Sequence, residues 1–161
     1  MAIDLYLKVD GVTGESMDAN HKGWIDIVSF VWGGSQSGSM SSGGGGGAGK
    51  VSFSDLQVIT NMDKASSTLM SYCSSGKHVP EVKLSMCKAG GLQIEYSTIV
   101  LNDVIVTSVQ FTGSGTNEQV GIAYAFQSSK IEHHYWLQMK DGGKGPESQM
   151  GWSVKENKAT V

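Results

Sequence analysis

The chain has 161 residues, of which 39% are hydrophobic and 17% charged, with a net charge of −3. That composition suits one domain spanning 1–161 with a real core. It carries no Lys/Arg cluster of the kind nucleic-acid binding requires, and no apolar run approaches the roughly 18 residues of a membrane helix.

The N-terminal stretch "MAIDLYLKVDG" alternates Ile3, Leu5, Leu7 and Val9 with Asp4, Tyr6 and Lys8, the pattern of a half-buried strand. An acid at Asp4 and the alternation argue against a secretory signal, whose apolar region is continuous. A loop follows in "GVTGESMDANHKG". Then "WIDIVSFVWG" reads as one strand, apolar on both faces and therefore covered on both. One face holds Trp24, Asp26, Val28, Phe30 and Trp32; the other holds Ile25, Ile27, Ser29 and Val31.

From Ser37 to Lys50 the chain is "SGSMSSGGGGGAGK". Gly44 to Lys50 matches the G-x-x-x-x-G-K part of a phosphate-binding loop. The hydroxyl that should follow is Val51, and "KVSFSD" reads as a strand where that motif needs a helix. A flexible hairpin arm is the better reading. As a free coil its ends would lie about 20 Å apart, so pairing of the flanking strands sends its middle outward.

One helix is expected after Asp63, as cap, and before Gly76, as stop, with Ala65, Leu69, Tyr72 and Cys73 on the buried stripe. Strands resume with "EVKLSMCK", a turn at "AGG" (89–91), and "LQIEYSTIVL". In that last strand the apolar face drifts from Leu92, Ile94 and Tyr96 to Ile99 and Leu101, which predicts a bulge. "VIVTSVQFTGSG" follows. "QVGIAYAFQSS" sets Val120, Ile122, Tyr124 and Phe126 against the small Gly121, Ala123 and Ala125. "SKIEHHYWLQM" extends that strand, "DGGKGPESQ" is a loop, and "GWSVKE" closes as a short strand. The expected fold is mainly β: an antiparallel β-barrel or sandwich of two sheets, with one docked α-helix and an extended glycine-rich loop.

The chemistry-bearing residues are sparse. Cys73 and Cys87 form no metal or C-x-x-C spacing and read as buried thiols. His133 and His134 are strand neighbours facing opposite ways, poorly placed to share a metal. His21 lies in one loop with Glu15, Ser16 and Asp18, the components of a hydrolytic triad, but without a nucleophile elbow. Hydrogen bonds bracing the loop account for the cluster more simply. No catalytic residue, metal or cofactor is expected.

At "DGVTGESMDANHKGWIDIVSFVWG", with the glycine arm, "LMSYCSSGKHVPEVKLSMCKAGG" and "GWSVKEN", the chain resembles the haemolysin-coregulated proteins, tube subunits of the bacterial type VI secretion system. Gly14, Glu15, Ser16, Asp18 and His21 carry the first motif. The likeness implies six-membered rings of a barrel subunit, stacked inside a contractile sheath, capped by a spike, expelled on contraction, and holding small effector proteins in the lumen. It implies a protein that is not an enzyme, made in the bacterial cytoplasm and secreted without a signal peptide. Its partners would be itself, the sheath, the spike and effectors, not nucleic acid or membrane. The stacking loop would be Ser37, Gly38, Ser39, Met40, Ser41, Ser42, Gly43, Gly44, Gly45, Gly46, Gly47, Ala48, Gly49 and Lys50, with Met40 as anchor. Ile25, Ile27, Ser29 and Val31 are the expected lumen face, with Asp26 on the supposed core face as an argument against it. The rival readings are a monomeric carbohydrate-binding sandwich using Trp136 or Trp152, and an enzyme built on Glu15, Ser16 and His21.

Overall fold

A computed structural model describes residues 2–38, 40, 49–89 and 93–161. The elements in chain order are β1 (Ile3–Val9), β2 (Ile25–Ile27), β3 (Ser29–Val31), β4 (Gly34–Ser35), β5 (Ser52–Phe53), β6 (Leu56–Asn61), α1 (Ala65–Ser75), β7 (His78–Lys88), β8 (Ile94–Thr112), β9 (Gly121–Gln138), β10 (Lys144–Ser153) and β11 (Lys158–Ala159).

Every strand pairing among the described residues is antiparallel. Starting at β1, the ladder runs through β7, β8, β9 and β6 to β3. It returns to β1 through β2. Between β3 and β2 lies only Val28, whose N–H donates to the Ile59 carbonyl at 2.8 Å. The sheet therefore comes round on itself as a barrel, while β8 beyond Ile105 and β10 before Trp152 are each paired on one side only among the described residues. Beyond Phe126, β9 exchanges β6 for β10 as its partner. The β8–β9 ribbon thus extends past the closed part. The segment Lys144–Gln149 belongs to β10 rather than to a loop, because it continues that ribbon opposite Trp136 and Tyr135.

The stretch 24–32 is not one strand. Ile25 and Ile27 are 1% and 8% exposed, and Asp26 is exposed. After Val28 the phase inverts: Phe30 and Trp32 pack on the core while Ser29 and Val31 face out. A break at Val28 lets one short segment pair with β1 and then β6. A single continuous strand would have to put either Asp26 or Val31 into the core.

The expected drift in β8 is a bulge: Met86 pairs Ser97 and Cys87 pairs Glu95, so Tyr96 is unpaired. A second irregularity leaves Thr107 unpaired between Val106 and Ser108. Leu7, Leu56, Leu69, Leu84, Leu101, Ile122, Tyr124 and Phe126 fill the interior, each large side chain contributing about 1.5–3 kcal/mol. Helix α1 docks its Ala65–Leu69 face here. Its start is held by reciprocal bonds: Asp63 Oδ1 accepts from the Ala65 N–H at 2.9 Å, and Ser66 Oγ accepts from the Asp63 N–H at 3.1 Å. Gly76 ends it at φ 66°, its N–H bonding the Tyr72 carbonyl. Ser66 is buried and accepts from the Tyr124 hydroxyl at 2.9 Å, so the helix is tied to the sheet by a polar bond that an apolar stripe does not reveal.

Candidate functional site

The first motif forms a strap, residues 11–24, laid over the outer face of β1 and β7. Three backbone bonds cross it: Gly14 N–H to Gly23 O (2.7 Å), Ser16 N–H to Trp24 O (2.9 Å) and Gly23 N–H to Ser16 O (2.9 Å). Gly14 has no room for a side chain; a Cβ there would sit 2.4 Å from the Trp24 carbonyl oxygen. Ser16 Oγ accepts from the Asp18 N–H at 3.3 Å, and Asp18 Oδ2 accepts from the Asn20 N–H at 3.2 Å, the self-bonding expected of such turns. Glu15 reaches out of the strap and its Oε2 accepts from the Lys64 N–H at 2.8 Å, just ahead of α1.

His21 is buried, 5% exposed. Its Nδ1 lies 2.7 Å from Asp18 Oδ2 and its Nε2 lies 3.1 Å from Ser85 Oγ on β7. The imidazole stacks on Tyr6 (centroids 4.2 Å, 7°) and meets the edge of Trp24 (4.7 Å, 86°). Ser85 Oγ donates to Glu95 Oε2 at 2.5 Å and lies 3.6 Å from Cys87 Sγ. The hydrogen bond from His21 holds the Asp18 carboxyl below its usual value. Burial pushes the Tyr6 phenol and the Cys87 thiol up.

Asp18, His21 and Ser85 are linked in the order of a hydrolytic triad, with Ser85 in the place the sequence offered to Ser16. Ser85 was not legible as a member, since it lies far along the chain in β7. Its only signal was a serine on the face of "EVKLSMCK" opposite the apolar residues. The geometry does not make it a nucleophile. Ser85 is 0% exposed, and its proton is given to Glu95 rather than to His21. The strap is a brace.

The remaining histidines are dispersed. His78 Nδ1 and the Ser129 hydroxyl each bond Asp103, at 3.1 Å and 3.1 Å. His133 Nε2 meets Ser97 Oγ at 3.2 Å, and His134 Nδ1 meets Glu147 at 2.6 Å. No group of three metal-ligating side chains comes together among the described residues. Trp136 is not an open sugar platform: His134 stacks on it at 5.8 Å and the Lys144 ammonium sits 3.7 Å from its centroid. Trp152 is partly buried against the core.

Of the expected lumen face, Ile25 and Ile27 are corrected to core residues, for the reason given by the phase break at Val28. Ser29 and Val31 lie on the outer face of a four-strand surface. Across β3, β6, β9 and β8 its rows read Val31–Gln57–Ala125–Ser108, Ser29–Ile59–Ala123–Gln110 and, on the last three strands, Asn61–Gly121–Thr112. No position in these rows is charged. Val31 and Ile59 are 68% and 52% exposed, and a groove of about 390 Å³, with Asp55 in its lining, runs over the small Ala123 and Ala125.

Of the arm, β4 and β5 pair as its root, Gly34 with Phe53 and Ser35 with Ser52, and Trp32 stacks on Phe53 at 6.2 Å. The strand after the glycines, not a helix, removes the phosphate-loop reading. Gly49 N–H bonds Ser37 O at 3.2 Å, Gly38 and Lys50 are exposed, and Met40 is 86% exposed. Ser39, Ser41, Ser42, Gly43, Gly44, Gly45, Gly46, Gly47 and Ala48 lie outside the described residues, as do Gly90, Gly91 and Leu92.

Fold and site together define a β-barrel scaffold whose prominent polar cluster braces a loop. The chain belongs to the family of type VI secretion system effectors called Hcp, whose model matches residues 6–135. It is 43% identical over 159 residues to protein hcp1 of Pseudomonas aeruginosa strain PAO1, covering 98% of each chain. A solved structure of a type six secretion system protein superposes at TM-score 0.93 with 33% identity, covering 99% of this chain and 100% of the other. Hcp1 of Salmonella typhimurium superposes at 0.80 with 33% identity, covering 99% of each. As a member of this family the chain is a secreted component of a type VI secretion system. No helix among the described residues is long and apolar enough to cross a membrane.

Proposed function

We propose that this chain is the subunit of the secretion tube: copies close into hexameric rings, rings stack into a hollow conduit within the sheath, and contraction expels the tube and spike with small effectors inside. The observation that carries this reading is the charge-poor outer face of β3, β6, β9 and β8, whose three rows are uncharged and whose groove has Asp55 in its lining. Charge depletion over a patch with exposed apolar side chains marks a surface meant to meet protein. As a lumen wall, with Ser29 and Val31 at its centre, it would hold varied cargo without demanding one charge pattern. A barrel in which no catalytic arrangement forms among the described residues suits a building block, and a ring needs only one patch meeting a different patch until rotation closes.

The arm, residues 37–50, serves stacking in this reading, with Met40 as its apolar anchor. Size-exclusion chromatography with light scattering tests the ring. A mass of six subunits is expected, and a monomer at tens of micromolar would overturn the reading. Deleting residues 43–47 should leave ring mass unchanged while weakening ring-on-ring association seen by electron microscopy. Unchanged tubes would remove the arm from the proposal.

A further inference from the structure

Strand β6 leaves the arm root at Leu56 and ends at Asn61, opposite Gly121. Its 6 residues span about 17 Å. Helix α1 runs between the same two ends. At its start, the Met62 N–H donates to the Val120 carbonyl at 2.8 Å, which fixes the 113–120 loop there. Past its last residue, His78 lines one cavity with Trp32 and Phe53 of the arm root. The helix has 11 residues and is about 16 Å long. The 113–120 loop and the root of the glycine arm therefore lie at opposite ends of the barrel.

At the loop end, a groove of about 830 Å³ is lined by Asn61, Thr112, Thr116, Asn117, Glu118 and Gln119, with Gly121 beside them. Ser114 and Thr116 bond each other and the loop backbone. The Asn61, Asn117 and Gln119 amides each carry donors and an acceptor, the set that a peptide backbone needs. At Gly121 an added Cβ would meet only Thr112, at 3.6 Å and 4.0 Å, so the backbone there is open to close approach. Glu118 is the one charged residue of the lining. It is exposed and pairs with no cation among the described residues. The groove suits a chain that is mostly bare peptide and carries one positive charge.

The arm has that composition. Residues 37–50 include seven Gly, four Ser and one Ala, and Lys50 is their only charged residue. Lys50 is exposed, and Gly49 N–H bonds Ser37 O, so the arm leaves and returns at one place. The chain between those two residues is long enough to reach out about 18 Å. We propose that the groove receives the arm of a copy in the next ring: its glycine peptides lie across Gly121 against the Asn and Gln amides, and its Lys50 pairs with Glu118. Ile59, 52% exposed and bordering the groove, gives Met40 an apolar neighbour. This rests on the stacked-ring reading and adds the receiving site to it. Donor and receiver sit at opposite ends of one subunit, so the contact is heterologous and repeats along an axis. A lone exposed ion pair contributes little, but the same pair on every subunit of a ring acts as one multivalent contact.

The test compares full-length variants for ring mass by light scattering and for tube length in electron micrographs. Glu118→Lys and Lys50→Glu each set like charges against one another and should shorten tubes about threefold or more. The double variant restores the pair in reverse and should recover most of the parent length. Asn117→Ala combined with Gln119→Ala, both exposed, should shorten tubes with no change of charge. Ring mass should stay that of the parent throughout. Parent rings that never associate would remove the stacking reading and this proposal with it. Parent tubes that either reversal leaves unchanged, a double variant no longer than the single ones, or tubes indifferent to the loss of both amides would overturn the groove and leave the rings standing. A reversal that abolishes the ring would place its residue in the ring contact and overturn the proposal as well.

Discussion

The strap and the glycine arm are both loops that contain several glycines, yet they solve opposite problems. In the strap, Ser16 and His21 are 2% and 5% exposed, and each polar side chain from Glu15 to His21 that the motif names has a partner. In the arm, residues 34–38, 40 and 49–50 are exposed. The first loop is ordered by its own side chains, at the cost of admitting little change. The second has a composition that cannot bury enough surface to order itself unaided, and in the proposed tube a neighbouring ring would supply that order.

The sharpest way to break this contrast is glycine against glycine. Gly14→Val forces a Cβ onto the Trp24 carbonyl, a backbone atom that moves only if the strap's ladder does. A loss of about 3 kcal/mol is expected in urea unfolding. Gly38→Ala, where no atom of the described residues lies within 4 Å of the added Cβ, should stay within about 0.5 kcal/mol of the parent. Equal effects at the two sites would erase the distinction.

Next in size is Ser85→Ala. It strips His21 Nε2 and Glu95 of their shared partner inside a buried cluster, and leaving such groups unpaired costs about 1–3 kcal/mol. Urea unfolding should show that loss with an unchanged slope. A neutral result would mean water replaces the hydroxyl.

How much of this was legible beforehand follows the same division. Local rules located the helix, since Asp63 and Gly76 act through bonds within a few residues. They also located the bulge, since a one-residue drift in β8 moves every later side chain to the other face. The break at Val28 was not legible. Both faces of 24–32 are apolar, and the choice between them depends on pairing first with β1 and then with β6. The strap's composition was visible in Glu15, Ser16, Asp18 and His21, but its hub was not, because Ser85 and Glu95 arrive from other strands. The charge-poor outer face likewise exists only once β3, β6, β9 and β8 lie side by side.

A smaller effect, with a direction set by pH, should come from Asp18→Asn. The Asp18 carboxyl is held low by its hydrogen bond to His21, so its contribution to stability is present above the ordinary carboxylate range. It is lost as pH falls through the lowered value. The parent should therefore be the more stable protein at neutral pH, and the gap between the two should close on acidification. A gap that stays constant with pH would show that Asp18 acts through its N–H and turn geometry rather than its charge.

The smallest expected change in stability falls in the arm, and it separates folding from assembly. Met40 is 86% exposed, so Met40→Ser removes no contact from the barrel and should leave the unfolding midpoint within experimental scatter, about 0.5 kcal/mol or less. If Met40 anchors one ring to the next, the same substitution shortens tubes in micrographs while ring mass by light scattering is unchanged. A variant that unfolds more easily would place Met40 against its own subunit, like the strap. One that folds and stacks as the parent does would leave the arm's contribution to its backbone and to residues other than Met40.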